Sequence, residues 1–447
     1  MAVLKRSIFE AKVHTVARDS GSLYRRLDTH SHLPPAQARE MEDDWAVDIV
    51  RYAMAASPYY EQRYASAGID AADLRDSSVI QRLPIIERSD VKNHLDQFWC
   101  RDVPRKYVRD AKTSGSTGQP LRTGNDARVP LSVLSWRMYS WWGVSPWDNT
   151  ARVGRWGLQG ASLRRNSLRW WPTRQVFLDA GYLDEASLHR FADEVTAVRP
   201  RLIEGYLGAV RTFGEFLRDT GRSIPAPVAI GTTAAPLTDP VRRHIQELFA
   251  VPVFDQYRCS EIPWMAGECR ERSGLHVFSD MRRIEVVNSE GRLLPPGETG
   301  DIVVTDLTNR VFPFIRYKLG DRGKLLSGEC PCGVSLPRIA PPDGRTADMI
   351  LLPDGTVIAG GLMTLFSTEP DAVSLFQLHQ HADFSITVRV VLTDAPGARE
   401  AVDRAVDSLR KRLQGKVPVR VEEVTNLPFT RGKIQYVTSE IPPPDLT

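Results

Sequence analysis

Residues 113–120 read Thr-Ser-Gly-Ser-Thr-Gly-Gln-Pro, and this octapeptide combines two glycines and four hydroxyl side chains between Arg109 and Arg122. Glycine tolerates positive φ and lets the backbone approach a ligand closely. Successive N–H groups of such a loop can therefore form an anion-binding concavity, to which the hydroxyls add donors. The segment is not a Walker loop, since no Gly-Lys-Ser/Thr follows it. A flexible surface linker has a similar composition, so the rest of the chain decides between a phosphate loop and a linker.

Strand and helix patterns alternate on the C-terminal side of this loop. Short apolar strands are predicted at residues 201–204, 228–230 and 251–254, and a helix is predicted at residues 210–217 between the first two. This alternation predicts an α/β fold whose large N-terminal part has mostly parallel sheets flanked by helices. In such a sheet the ligand-binding loops lie at the carboxyl ends of the strands.

The pattern changes in the last third of the chain. Residues 283–287 and 300–305 alternate apolar and polar side chains, which predicts an antiparallel section. A compact unit follows, with an alternating strand at residues 384–390, a helix through residues 402–413 and another strand at residues 417–421. These elements predict a small α+β domain at the C-terminal end.

Composition and charge restrict the class of protein. A chain of 447 residues with 42% hydrophobic and 25% charged side chains is typical of a globular protein with two or more domains. A net charge of +3 is too balanced to indicate a nucleic acid or a membrane as partner. Charges run through residues 1–14, and no apolar run approaches the roughly 18 residues of a membrane span, so we expect a cytoplasmic protein.

One stretch is rich in tryptophan and arginine. Residues 136–171 hold seven of the ten tryptophans, and residues 151–174 contain six arginines and no acidic residue. Aromatic and arginine side chains together can bind single-stranded nucleic acid. A nucleic-acid footprint, however, is usually basic over a whole domain, and this stretch is short. The tryptophans fit a hydrophobic core or an apolar ligand pocket better, with some arginines facing an anionic ligand.

Three of the five cysteines cluster with a histidine in a pattern that suits a metal. The spacing is Cys-x6-His for Cys269 and His276, and Cys-Pro-Cys-Gly for Cys330 and Cys332. Three thiolates and one imidazole suit a tetrahedral, closed, structural Zn²⁺ site. The alternative is four reduced residues without a metal.

Five separated segments occur together in one order, and that order matches a known family. They are residues 113–120, Gln-Tyr-Arg-Cys-Ser-Glu (256–261), Arg-Tyr-Lys-Leu-Gly-Asp (316–321), Gly-Arg-Thr-Ala-Asp (344–348) and Gly-Lys (432–433). In this order they resemble the adenylate-forming superfamily of acyl-CoA ligases, peptide-synthetase adenylation domains and luciferases. The resemblance is strongest to the phenylacetate–CoA ligase branch and its capsular-polysaccharide-associated relatives, and it extends to Lys433.

The resemblance implies a role for individual residues. The loop would close on the ATP phosphates through Thr113, Ser114, Gly115, Ser116, Thr117 and Gly118. The other nucleotide contacts would come from Ala234, Ala235, Gln256, Tyr257, Asp321 and Arg345. The ring of Tyr257 would flank adenine, and Asp321 would accept hydrogen bonds from both ribose hydroxyls. Glu261 would ligate Mg²⁺, and Lys433 would bridge the acyl carboxylate and the α-phosphate. Asp348 falls at the family's hinge, which implies an N-terminal domain of residues 1–347 and a mobile lid of residues 348–447.

The implied activity is ATP-dependent adenylation of a small carboxylic acid with pyrophosphate release, followed by acyl transfer to coenzyme A. Two positions depart from the family pattern. Arg258 replaces a glycine, and its side chain either holds a second carboxylate of the substrate or points to solvent. The second departure is Gly-Tyr-Leu-Gly (205–208), which replaces Gly-Tyr-x-Ser. Tryptophans of residues 136–147, with Tyr206 and the turn at residues 231–235, could wall an apolar cleft, so we expect an aromatic acid.

Several alternatives stay open at this point. The acceptor could be an amine, as in an amide synthetase, or nitrite, as in a diazotase. A non-enzymatic nucleotide- or RNA-binding protein is a further alternative, and a homodimer is compatible with the sequence.

Overall fold

A computed structural model describes residues 2–75, 77–112, 122–154, 160–180, 183–342, 344–345, 350–354, 356–358, 362, 365–366, 372–427 and 436–441. The helices are α1 (Ala2–His14), α2 (Arg18–His30), α3 (Pro35–Ala56), α4 (Pro58–Ser66), α5 (Arg88–Asn93), α6 (Ser132–Trp141), α7 (Gly160–Trp170), α8 (Glu185–Val198), α9 (Leu207–Asp219), α10 (Asp239–Phe249) and α11 (Ala398–Arg412). The strands are β1 (Val108–Lys112), β2 (Arg122–Asp126), β3 (Thr150–Gly154), β4 (Gln175–Asp179), β5 (Leu202–Tyr206), β6 (Ala229–Thr233), β7 (Val253–Tyr257), β8 (Ala266–Glu268), β9 (Leu275–Val277), β10 (Arg282–Val287), β11 (Gly300–Asp306), β12 (Tyr317–Gly323), β13 (Leu325–Leu326), β14 (Arg338–Ile339), β15 (Gly344–Arg345), β16 (Ile350–Leu351), β17 (Val357–Ile358), β18 (Val373–Gln380), β19 (Ile386–Leu392), β20 (Val419–Glu423) and β21 (Val437–Ser439).

The largest sheet has the strand order β13-β14-β9-β8-β7-β6-β5-β3-β4. Neighbouring strands from β4 to β7 run parallel, which confirms the prediction of a mostly parallel sheet flanked by helices. Beyond β7 the sheet continues antiparallel through β8, β9, β14 and β13. These strands are two or three residues long. They are too short for a period-two pattern, so sequence patterns did not reveal this extension.

Helices cover both faces of the parallel strands. On one face α8, α9 and α10 bury apolar side chains against the sheet, and the rings of Phe191 and Phe213 meet edge to face at 4.8 Å. On the other face α6 packs down, and Trp142 stacks on Phe254 of β7 with ring centroids 5.0 Å apart. Both cores are apolar, and their burial supplies the main driving force for this part of the fold.

A second sheet confirms the predicted antiparallel section. Its strand order is β10-β11-β12-β15, with Arg283 opposite Thr305 and Asp321 opposite Arg345. Helices α3 and α4 pack on the same core as this sheet. Tyr60 of α4 also donates a hydrogen bond to the carbonyl of Pro313 at 3.0 Å.

The C-terminal unit has the strand order β20-β19-β18-β21, with α11 packed on it. This is the small α+β arrangement that the sequence predicted. Arg211 of α9 donates to the carbonyl of Ser374 at 3.3 Å, which links the unit to the main body. The proposed boundary between residues 347 and 348 lies outside the described residues and stays a prediction. Within the part of the chain described above, no helix combines the length and the apolar character needed to cross a membrane.

Candidate functional site

The predicted nucleotide-site residues come from separate sheets and meet at the carboxyl end of β7. Tyr257 is the last residue of β7, and Asp321 lies on β12. The Tyr257 hydroxyl donates to Asp321 Oδ2 at 2.7 Å, so the two segments that lie 64 residues apart are in direct contact. Asp321 is also paired in register with Arg345 of β15. The structure therefore brings three of the predicted residues together.

Glu261 lies in the loop that follows β7 and is largely buried. Arg88, the first residue of α5, donates from Nη1 to Glu261 Oε1 at 3.2 Å. Glu261 also lies near the buried Tyr317 of β12, since its charge helps raise the pKa of that phenol, although burial is the larger cause. Sequence reasoning missed Arg88, because the segment around it has no motif and its contact is formed only by the tertiary fold.

The turn after β6 has unusual backbone geometry. Ala234 adopts φ 73°, a left-handed conformation that is uncommon for a residue other than glycine. The residue is exposed at the carboxyl end of a buried strand, and Ala235 beside it is half-buried. Strained backbone of this kind often occurs at ligand sites. Both alanines are therefore placed where the sequence predicted a ligand contact.

The predicted phosphate loop connects two paired strands. Strands β1 and β2 are paired antiparallel, with Lys112 opposite Arg122 at the end of the pair that the loop connects. Asn125 Nδ2 of β2 donates to the carbonyl of Ser260 at 3.4 Å, which holds the strand pair beside the loop that carries Glu261. Residues 113–120, including Thr117, lie outside the described residues, as do Asp348 and Lys433. For Arg345 the structure describes only the strand pairing of its backbone.

A buried polar cluster lies among β3, β5 and α6. Glu204 of β5 is 1% exposed; it accepts a hydrogen bond from the Tyr139 hydroxyl and pairs with Arg152 Nη1 at 3.2 Å. Burial alone would raise the pKa of Glu204, but the charges of Arg152 and Arg258 and the Tyr139 hydrogen bond outweigh it, so the pKa is lowered. Glu204 is therefore ionised inside the protein. The signal that could have found it is an acidic residue within a predicted buried strand.

Two further residues join this cluster. The Arg258 guanidinium carbon lies 4.5 Å from the ring centroid of Trp264, so this side chain is directed at protein groups rather than simply at solvent. Gln256 is 3% exposed and lies close enough to Glu204 to help lower its pKa. Among the described residues, however, neither end of the Gln256 amide has a hydrogen-bond partner of good geometry. An unsatisfied amide of this kind is suited to receive a ligand.

The tryptophan-rich stretch mostly builds the core. Trp136 and Trp142 are buried, and Trp136 meets Phe9 of α1 edge to face at 5.2 Å. Trp142 donates from its indole N–H to the carbonyl of Glu268 at 2.7 Å. Both rings therefore pack in the core, and the expectation that the tryptophans of residues 136–147 wall a ligand cleft stays a prediction. Arg152 of the basic stretch is paired inside the protein, whereas Arg164, Arg165, Arg169 and Arg174 are exposed.

The predicted metal ligands are brought together by the antiparallel end of the large sheet. The donor atoms of Cys269, His276, Cys330 and Cys332 all lie within 4.8 Å of one another. The Cys269 and Cys330 sulfurs are 3.6 Å apart, and Cys332 Sγ is 3.3 Å from His276 Nε2. A tetrahedral zinc ion with bonds of about 2.0–2.3 Å sets its ligand atoms roughly 3.5–3.8 Å apart, so the spacing fits.

The imidazole of this cluster is oriented for metal binding. His276 Nδ1 lies 3.3 Å from the carbonyl of Leu336. A carbonyl can only accept, so it selects the Nδ1–H tautomer and leaves the Nε2 lone pair facing the sulfurs. Burial also lowers the pKa of His276 to about 4, so the ring is neutral at pH 7.

Comparison with known proteins points to one superfamily, although no model of a protein family matches the chain. The chain is 28% identical over 357 residues to a phenylacetate–coenzyme A ligase of Thermus thermophilus, covering 77% of this chain and 79% of that protein. It is 22% identical over 365 residues to Protein CapK of Staphylococcus aureus, covering 79% of this chain and 78% of that protein.

Solved structures share the fold. A 2-hydroxyisobutyryl-CoA ligase in its postadenylation state superposes with a TM-score of 0.77 at 18% identity, covering 92% of this chain and 91% of that chain. The same protein in its thioesterification state gives a TM-score of 0.63. This chain therefore superposes better on the postadenylation state than on the thioesterification state. Together, the curated relatives and the shared architecture support the adenylate-forming ligase superfamily, in its phenylacetate–CoA ligase-like branch, as the family that this chain resembles.

Proposed function

We propose that this protein uses Mg-ATP to convert a carboxylic acid to an acyl-adenylate, releases pyrophosphate, and then transfers the acyl group to coenzyme A. The observation that carries the proposal is the 2.7 Å contact between Tyr257 and Asp321, which joins two of the family's segments at one sheet edge. The relatives named phenylacetate–coenzyme A ligase support the choice of acceptor.

Each side of the nucleotide has a proposed partner. Asp321 accepts hydrogen bonds from the two ribose hydroxyls, since a carboxylate offers two acceptor oxygens to a vicinal diol. The ring of Tyr257 lies against adenine, and the hydroxyl and N–H donors of residues 113–118 hold the phosphates. Ala234, Ala235 and Gln256 complete the pocket.

Charge on the phosphates is balanced by Glu261 and Lys433. Glu261 would hold Mg²⁺, because a carboxylate oxygen is the ligand that this cation prefers, and Mg²⁺ when bound neutralises phosphate charge. Arg88 occupies Glu261 Oε1 in the structure, so cation binding requires that this contact be shared or released. Lys433 carries a flexible point charge that stabilises charge developing between the acyl carboxylate and the α-phosphate.

The lid supplies the change between the two half-reactions. We propose that residues 348–447 rotate about Asp348, so that Lys433 serves adenylation and is withdrawn before acyl transfer. The better superposition on a postadenylation state than on a thioesterification state supports the view that this fold has two arrangements.

The acid is proposed to be aromatic or similarly flat, with a polar substituent. Tyr139 and Trp264 supply flat apolar surfaces beside the buried cluster, with ring centroids 6.3 Å apart. Two arginines and one glutamate leave that cluster with an excess positive charge, and the Gln256 amide offers further hydrogen bonds. A hydroxyl or carboxylate on the ring would satisfy these groups.

We assign Zn²⁺ to the Cys269, His276, Cys330 and Cys332 cluster as a structural ion. All four protein ligands are provided, so no position is left for substrate. The ion would tie the turn that carries Cys330 to β9, and its role would be stability rather than chemistry.

The test is a panel of aryl, fatty and amino acids plus nitrite, each incubated with Mg-ATP and with coenzyme A, an amine or no acceptor. We expect pyrophosphate release with aryl acids, faster turnover only with coenzyme A, and a thioester identified by mass. Arg258→Gly should reduce the preference for ring-substituted over plain aryl acids by about tenfold, the effect of roughly one charged hydrogen bond. Acceleration only by an amine, or release with nitrite, would reassign the acceptor.

A further inference from the structure

Two histidines and a glutamate converge on the C-terminal unit, far along the chain from the cysteine cluster. His379 lies on β18, which ends at Gln380, and His381 is the first residue after that strand. Glu440 directly follows β21, which pairs parallel with β18. The nearest nitrogen of each ring approaches the same carboxylate oxygen: Glu440 Oε1 is 3.1 Å from His379 Nε2 and 3.7 Å from His381 Nδ1.

Hydrogen bonds fix the orientation of His379. Its Nδ1 lies 2.8 Å from the Thr438 hydroxyl oxygen. That hydroxyl donates to the carbonyl of Leu378 at 3.4 Å, so it accepts from the ring and places the proton of a neutral His379 on Nδ1. The lone pair of Nε2 then faces Glu440, and two acceptors 3.1 Å apart require a cation between them.

The other two groups are held in the same way. His381 Nε2 lies 2.8 Å from the Thr387 hydroxyl oxygen, which leaves Nδ1 directed at the glutamate. The Ala382 N–H donates to Glu440 Oε2 at 2.9 Å. Polar partners behind the ligand atoms are typical of metal sites.

We propose that His379, His381 and Glu440 form a second metal site, which binds a borderline divalent cation of the Zn²⁺ type. Imidazole nitrogen and a carboxylate suit such a cation. A proton bridges only one pair of these atoms, whereas a metal ion can bind all three ligand atoms at once. The three ligand atoms lie within 4.8 Å of one another, and bonds of about 2.0–2.2 Å would bring them to roughly 3.4 Å.

The position of this site gives it a structural consequence. Strand β21 begins at Val437, four residues after Lys433, and the cation would tie the end of that strand to the central strand of the unit. Bound metal would thus anchor the segment that follows Gly432 and Lys433.

The experiment is a titration of the full-length protein, after removal of weakly held metal with a mild chelator, using Zn²⁺ and then Co²⁺. We expect uptake of about one cation beyond the one held by the cysteine cluster. Cobalt at this site should give visible bands without the thiolate charge-transfer absorption that marks a cysteine-ligated ion. His379→Gln and Glu440→Gln should each weaken the additional uptake by about tenfold or more.

His189→Gln is the matched control, because His189 Nε2 lies 3.6 Å from Glu185 on α8 without a second histidine beside it among the described residues, and its Nδ1 contacts Arg222 Nη1 at 2.7 Å. It should leave the additional uptake unchanged. Circular dichroism of each variant shows whether the C-terminal unit remains folded. The proposal is overturned if the wild type takes up no further cation, or if both ligand variants, folded, bind as the wild type does.

Discussion

Asp321 is the residue whose substitution should report nucleotide binding most selectively. Asp321→Ala removes both proposed ribose contacts, and charged hydrogen bonds contribute about 1.5–3 kcal/mol each, so KM for ATP should rise at least about 100-fold. Tyr257→Phe is the matched control, since it keeps the ring and deletes only the hydroxyl that donates to Asp321. It should change KM only a few-fold. Steady-state kinetics at saturating acid compare the two variants, and equal increases in KM for ATP would contradict the ribose assignment.

A buried aspartate beneath this site makes stability depend on pH. Burial, and then the charge of Glu268, raises the pKa of Asp255 to about 7 from an ordinary value near 3.8. A carboxyl group whose pKa is raised on folding stabilises the folded state fully at pH values below its unfolded pKa. This stabilisation is lost as the pH rises through about 7. Asp255→Asn should therefore gain stability relative to the wild type as the pH rises from 5 to 8, by about 1.4 kcal/mol for each pH unit between pH 5 and about pH 7.

Denaturant unfolding at the two pH values measures this difference. Asp184→Asn is the control of opposite sign, because Asp184 caps α8 by accepting from the Ser187 N–H at 2.7 Å, which lowers its pKa. It stays ionised across this range, so its difference from the wild type should not change. A difference for Asp255→Asn that is independent of pH would contradict the raised pKa.

At the level of elements, a zinc ion in the cysteine cluster should stabilise the fold by joining the turn that carries Cys330 to β9. Cys330→Ser should remove the zinc found by elemental analysis of the purified protein. It should also lower the free energy of unfolding by at least about 2 kcal/mol, since binding to a structural site contributes directly to folding. Cys259→Ser is the control, because Cys259 lies outside the cluster and a serine oxygen can replace its contact with the Ile262 N–H. An absence of zinc from freshly prepared wild-type protein would contradict the assignment of this zinc site.

Sequence patterns predicted elements well where periodicity and length were sufficient. The parallel strands β5, β6 and β7, the antiparallel pair β10 and β11 and the C-terminal unit were predicted from local patterns, whereas β3 and β4 were not predicted. Contacts between distant segments could not be predicted in this way. The Arg88–Glu261 pair and the buried cluster around Glu204 join residues through tertiary packing, and local pattern carries no information about it.

The tryptophan-rich segment shows a second limit of sequence reasoning. Composition indicated either a core or a ligand wall, and only the position of Trp136 and Trp142 against α1 and β7 decided for the core. The predicted phosphate loop, Asp348 and Lys433 lie outside the described residues. Their roles remain predictions that need kinetic tests.

At the level of the whole molecule, Lys433→Ala should separate the half-reactions. Loss of the lysine charge should reduce adenylation at least about 100-fold, because electrostatic stabilisation of the transition state contributes several kcal/mol. Conversion of a supplied acyl-adenylate to the thioester should be nearly unchanged. Lys416→Ala is the control on the same unit, where Lys416 pairs with Asp354 at 2.6 Å. Similar losses in both half-reactions would contradict a lysine that serves only one arrangement.

The central claim is that the site around Tyr257, Glu261 and Asp321 joins a carboxylic acid to AMP. Acid-dependent exchange of labelled pyrophosphate into ATP measures this step directly, before any acceptor is needed. We predict exchange that requires both Mg²⁺ and an aryl acid, proceeds without coenzyme A, and is lost in Asp321→Ala. Nucleotide products of ADP and phosphate, or no exchange with any acid while ATP still binds, would contradict the account.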